Sequence, residues 1–182
     1  MLYNYLNTLY SFVQTIVRVT TPQKNSLFLQ KIKPMPSLFD KQAQSEMLAR
    51  VEKLTATSHR NWGKMTVSQM MKHLEVAFSV PINKIQVPKD TLYYISANPF
   101  ARWMMIKAMT KWPKNLVTAD SFKVKNDPEF EPAKKELLST IHEFLNANDF
   151  SGRHPVFGVM RKEFWGNAMH IHLNHHLTQF GV

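Results

Sequence analysis

From residue 35 onward the apolar positions of this chain recur at helical spacing, and five helices follow from them. Ser37 can cap a first helix running to about Leu54, its stripe formed by Leu38, Phe39, Met47, Leu48, Val51 and Leu54. Thr66, with Gln69 at the capping-box position, opens a second helix. Its face carries Val67, Met70, Leu74, Ala77 and Phe78, and Pro81 stops it. Asn98-Pro99 begins a third helix that ends before Pro113. The fourth covers roughly Pro132–Asn146 and buries Leu137, Leu138, Ile141, Phe144 and Leu145; the last covers roughly Arg161–Phe180. Segments 81–97, 113–127 and 147–160 read as loops, and no strand pair with hairpin chemistry appears. The expected fold is all-α: an antiparallel four-helix bundle of the first, second, fourth and fifth helices, with the third packed outside.

Residues 1–34 read as a separate N-terminal extension, and residues 35–182 as the bundle domain. Leu2, Leu6, Leu9, Val13 and Ile16 give residues 2–17 an amphipathic helical pattern, and Pro22 starts a polar linker. The segment is too polar to span a membrane and lacks the basic start and cleavage site of a secretory signal. It can pack on the domain, extend a dimer contact or lie on a membrane surface. Its lack of acids leaves organelle targeting open, and translation from Met35 would make it a mis-assigned start. Otherwise a cytoplasmic protein is expected.

Composition narrows the chemistry. Gly is scarce (5) and Met frequent (11), which suits helices, and cysteine is absent, so thiolate metal sites and cysteine nucleophiles are excluded. The formal net charge of +10 includes +4 from Arg18, Lys24, Lys31 and Lys33 in the acid-free first 34 residues, leaving +6 on the rest. No window interleaves a basic run with aromatics, so no nucleic-acid partner is expected. Nor is membrane contact expected, except through residues 1–17.

The chain ends in a stretch holding His170, His172, His175 and His176. At about 100° per residue, His172 and His176 share one face with Trp165 and Ala168, His175 flanks it, and His170 points nearly opposite, towards water. Histidines at i and i+4 on an inward face can chelate one ion, but a third ligand must come from elsewhere. His73, at the edge of the second helix's stripe beside Met70 and Ala77, is the best candidate. His59 falls in a loop and His142 near a solvent edge, while His154, before Pro155, could cover the site. A single inward histidine is more often a hydrogen-bonded core residue than a ligand.

The residues also carry a resemblance. "NWGKMTVSQMMKHLEVAF" and "HLNHHLTQF" resemble signature segments of the DinB-like proteins. The series "SLFD", "WGKM", "QMMKH", "PKN", "DPEF", "HPVFG" and "HHLTQFGV" resembles the uncharacterised branch catalogued as domain of unknown function 1569. The resemblance covers about residues 35–182 and implies a four-helix bundle holding a divalent metal through His73, His172 and His176. It implies zinc or nickel without choosing between them, and often a homodimer. Three neutral histidines leave positions open, as a catalytic ion requires. Such an ion can acidify a water, polarise a carbonyl or bind a thiolate. Some relatives resemble thiol-dependent transferases, which would make a small molecule and a low-molecular-weight thiol the partners. Hydrolysis wants a carboxylate base facing His172, and none is placed there by helical spacing; His175 and His154 are the candidate catalytic side chains. The non-enzymatic alternative is a metal-binding or stress-response module, with His175 or His154 closing the shell.

Overall fold

Side chains of three residues set where the first two helices begin. In the computed structural model, which describes residues 35–109, 112–115 and 120–182, Asp40 accepts hydrogen bonds from the backbone N–H groups of Gln42 and Ala43 and starts α1, Lys41–Glu52. Ser37, the expected cap, instead accepts from the Phe39 N–H in the turn before it. Thr66 caps α2, Val67–Ser79, in a reciprocal capping box with Gln69, as the sequence predicts. The amphipathic segment expected at residues 2–17 lies outside the described residues.

Among the described residues the architecture is mainly helical. After α2 come α3 (Thr91–Ser96), α4 (Pro99–Met109), a single 3-10 turn at Asp120–Phe122, α5 (Phe130–Asn146) and α6 (Lys162–Gln179). Asn98 accepts from the N–H groups of Phe100 and Ala101 and so starts α4 at the expected Pro99. Two features depart from expectation. α3 falls in a stretch that reads as loop, because "TLYYIS" between prolines is too short for a helical period. The 147–160 loop contains an antiparallel pair, β1 (Arg153–His154) and β2 (Gly158–Val159), whose two-residue strands show no alternation to read. The turn between them is held by His154, whose Nδ1 accepts from the N–H groups of Val156 (3.1 Å) and Phe157 (3.2 Å).

α2 packs most extensively on α5, while α6 contacts α1 on one side and α2 on the other. The stripe predicted for α2 is buried in full, and Leu137, Ile141 and Phe144 of α5 meet it; Leu138 and Leu145 are only partly buried. Phe144 is the hub of an aromatic cluster, stacked on Phe39 at 5.4 Å and edge-on to Phe78 (5.2 Å) and Phe150 (5.4 Å). The chain before α1 crosses α6 at Gly166, where a Cβ would come within 2.4 Å of the Ser37 hydroxyl oxygen and 2.5 Å of the Phe39 ring. Arg50 ties α1 to the end of the chain, donating to the Val182 carbonyl (2.7 Å) and to Asn174 Oδ1 (2.7 Å).

α6 is enclosed on more than one side, and this corrects one expectation. His170, read as facing water, is 8% exposed, in a setting where Glu46 and Arg50 of α1 act on its charge. A helical wheel with one inward face suits a helix covered on one side, and α6 has neighbours on both.

Candidate metal centre

α2 and α6 bring three imidazoles together. The ring centroids of His73, His172 and His176 lie 4.9–5.0 Å apart in all three pairings. One nitrogen from each lies within 4.8 Å of the others, and His73 Nε2 is 2.9 Å from His172 Nε2. All three side chains are buried, at 4%, 8% and 6% exposure. Each occupies a position the sequence marks: i and i+4 on α6, and the edge of the apolar stripe on α2. Among the described residues no carboxylate belongs to the cluster.

Hydrogen bonds at the far nitrogens set two of the rings. His73 Nδ1 lies 2.9 Å from the Phe122 carbonyl, which can only accept, so Nδ1 carries the proton and the Nε2 lone pair faces the cluster. The 3-10 turn at Asp120–Phe122 exists against α2 at this point and supplies that carbonyl. His176 Nδ1 lies 2.8 Å from Gln179 Oε1. The Gln179 amide is oriented in turn by donating from Nε2 to the Trp62 carbonyl at 2.7 Å. Gly63 permits this: at φ +83° it carries no Cβ, and one would lie 2.4 Å from Gln179 Nε2. Ring orientation by a carbonyl or amide behind the ligating nitrogen is the arrangement that metal-binding histidines use. Gln179 stands at i+3 from His176 on the same face, a signal visible in the sequence; the role of Phe122 is not, because it acts through its backbone.

Burial also sets the protonation state. Desolvation pushes His172 well below the usual imidazole range, with the neighbouring histidines adding to it. Desolvation and then His73 lower His176 to about 3, against the opposing effect of the hydrogen bond it donates to Gln179. His73 is lowered by burial, although the Phe122 carbonyl pulls the other way. At neutral pH the three rings are therefore neutral, the form in which imidazole binds a metal. Three neutral nitrogen donors, close together, buried and two of them oriented from behind, can hold a metal ion, with bonds of roughly 2.0–2.1 Å if it is zinc.

The remaining candidates stand at the margin. His175 is half-buried beside His176 (ring centroids 5.2 Å) and between Trp62 (5.8 Å) and Trp112 (5.5 Å), and burial lowers its pKa. Trp112, which no sequence signal marks, lies 4.6 Å from the His172 ring. Lys114 Nζ lies 4.6 Å over the Trp62 ring, and the Trp62 indole N–H is buried with no acceptor. His154 packs on Trp165 (5.6 Å), and its Nδ1 serves the hairpin turn. His59 and His142 are exposed, away from the cluster.

With this geometry in hand, comparison with known proteins gives one match. A family model described as "Protein of unknown function (DUF1569)" matches residues 36–181. No curated protein and no solved structure matches.

Proposed function

The chain belongs to the DUF1569 family, and from that premise we propose that it is a divalent-metal enzyme of the DinB-like type, a transferase that activates a small thiol. His73, His172 and His176 are its ligands and zinc or nickel its ion. The packing of α6 on α1 and α2, and of α2 on α5, supports the four-helix bundle that such a reading requires. The observation that carries the proposal is the donor set: three neutral imidazoles with no carboxylate among them. A structural zinc site normally takes four protein ligands, whereas three leave room for a guest. Bound there, a divalent ion supplies undiminished Lewis acidity, which favours the thiolate form of an incoming thiol.

The chain's own groups shape the guest's surroundings. Trp112 beside His172 and Trp62 beside His175 offer aromatic surface to such a guest. The unpartnered Trp62 N–H offers a donor, and Lys114 above its ring offers a cation, which together suit a carbonyl-bearing or anionic cosubstrate. His175, neutral at neutral pH and next to His176, is the base that this reading assigns to the thiol proton. Hydrolysis is less well served, since no carboxylate base joins the cluster and the His154 Nδ1 is engaged in the turn.

Elemental analysis of purified wild type and His176→Ala, followed by a screen of the metal-loaded protein against electrophiles with several cellular thiols, tests the reading. Near-stoichiometric metal in the wild type, loss in the variant and thiol-dependent turnover are expected. Undiminished metal in the variant removes His176 as a ligand. A closed four-ligand shell in the spectrum of the cobalt-substituted protein overturns the catalytic role.

A further inference from the structure

Large apolar side chains that remain exposed are gathered in one region. Tyr94 (70% exposed), Ile95 (51%), Phe100 (70%) and Met104 (50%) sit on α3 and α4, two helices that pack on each other. Val159, 55% exposed, borders them, lining one small cleft with Tyr93 and Ser96 of α3. Among the described residues, Met35 is the one large exposed apolar residue elsewhere. Soluble surfaces seldom gather such residues without a partner to cover them.

The same stretch concentrates positive charge. Residues 89–114 contain Lys89, Arg102, Lys107, Lys111 and Lys114 against one acid, Asp90, a surplus of four within a chain of formal +10. Exposed apolar and aromatic side chains on short helices rich in lysine and arginine are the chemistry of a surface that rests in a lipid headgroup layer. The charge decides between occupants. A second copy meeting this face through the same face would bring together two stretches that each carry a surplus of four positive charges, and like charges across an interface oppose association. An anionic lipid surface is attracted instead, and the apolar side chains reach past its headgroups.

We infer that the α3–α4 face docks on an anionic membrane surface. Tyr94, Ile95 and Met104 enter the headgroup boundary, and the cationic surplus of this stretch draws the anionic lipids to it. This is a different segment from residues 2–17, where the sequence leaves room for membrane contact, and it does not depend on the proposed chemistry. Trp112, three positions after α4 along the chain, lies against His172 of the histidine cluster.

The test uses the full-length chain and co-sedimentation with vesicles of phosphatidylcholine, alone or mixed with phosphatidylglycerol. Binding to the mixed vesicles should be at least about tenfold tighter than to the neutral ones and should weaken at high salt. Ile95→Ser with Met104→Ser should cut it by about tenfold or more, with circular dichroism unchanged. Should that pair unfold the chain, Lys107→Gln with Lys111→Gln tests the charge of the same stretch, at roughly fivefold per charge removed. Leu6→Glu with Leu9→Glu should leave most of the binding intact. Equal affinity for both vesicles overturns the inference, as does no binding to either. It also fails if only the N-terminal pair of substitutions abolishes binding, or if the α3–α4 pair abolishes self-association of a protein that ignores vesicles.

Discussion

Metal-free protein should lose at least about 2 kcal/mol of folding stability between about pH 8 and pH 5, the share that His176 alone contributes, with His172 adding to it. An imidazole in the unfolded chain titrates near 6.5, whereas folded His176 is lowered to about 3 and folded His172 well below the usual range. Between those values the unfolded chain takes up protons that the folded one refuses. Stability therefore rises with pH through this window: it is whole above the unfolded value and is lost progressively as pH falls towards the folded ones. Keeping the His176 ring neutral costs about 1.36 kcal/mol per unit below 6.5, roughly 2 kcal/mol by pH 5. His73 is shifted in the same direction and adds to the loss.

Urea unfolding followed by far-ultraviolet circular dichroism, with a chelator present, reads this directly. With a slope near 2 kcal/mol per molar urea, the midpoint should fall by at least about 1 M over the interval. His176→Gln should remove roughly 2 kcal/mol of that dependence, because its refusing ring is gone. A midpoint that stays level from pH 8 to 5, or a variant as pH-sensitive as the wild type, would refute the buried, neutral state of the cluster.

Three further outcomes follow from the same geometry. Protons should compete weakly for the ligands in the folded protein, so metal affinity should change only a few-fold between pH 8 and 6, where three solvent-exposed histidines would lose roughly sixtyfold; isothermal titration in both buffers decides. Gln179→Leu removes the acceptor behind His176 and should weaken metal binding about 10- to 100-fold in competition with a chromophoric chelator, and Gly63→Ala, which displaces the Gln179 amide, should act in the same direction. Phe144→Ala, at the hub of the aromatic cluster and fully buried, should cost about 3–5 kcal/mol in urea unfolding while leaving metal stoichiometry at wild-type level.

What could be read along the chain was local in its physics. The Thr66–Gln69 box is a four-residue pattern, and it starts α2 as expected. The metal-ligand candidates were legible because His172 and His176 differ by one helical turn and His73 interrupts an apolar stripe. What escaped depends on distant neighbours. His170 is buried because α1 covers a second side of α6, which periodicity within α6 alone does not reveal. The Phe122 carbonyl reaches His73 across 49 positions, and any residue could have supplied it. His154, placed near the site by its position before Pro155, was legible as a loop residue but not as the acceptor that closes the hairpin turn.

The 2.9 Å separation of His73 Nε2 and His172 Nε2 carries a last consequence. Phe122 holds the His73 proton on Nδ1, so the His73 Nε2 presents a lone pair. Two lone pairs at that distance repel. In the metal-free protein His172 must therefore carry its proton on Nε2 and donate it to His73. An ion held by all three Nε2 atoms requires that proton to leave, and a neutral His172 then keeps its hydrogen on Nδ1. Metal binding at this site should thus switch the tautomer of one histidine out of three, because His73 and His176 are fixed as Nδ1–H in both states by Phe122 and Gln179. Imidazole nitrogen-15 shifts recorded before and after adding one equivalent of zinc distinguish the tautomers. A change at His172 with His73 and His176 still protonated at Nδ1 is the expected result. An unchanged His172 in protein carrying a full equivalent of zinc would place the ion elsewhere and reduce the cluster to a hydrogen-bonded core.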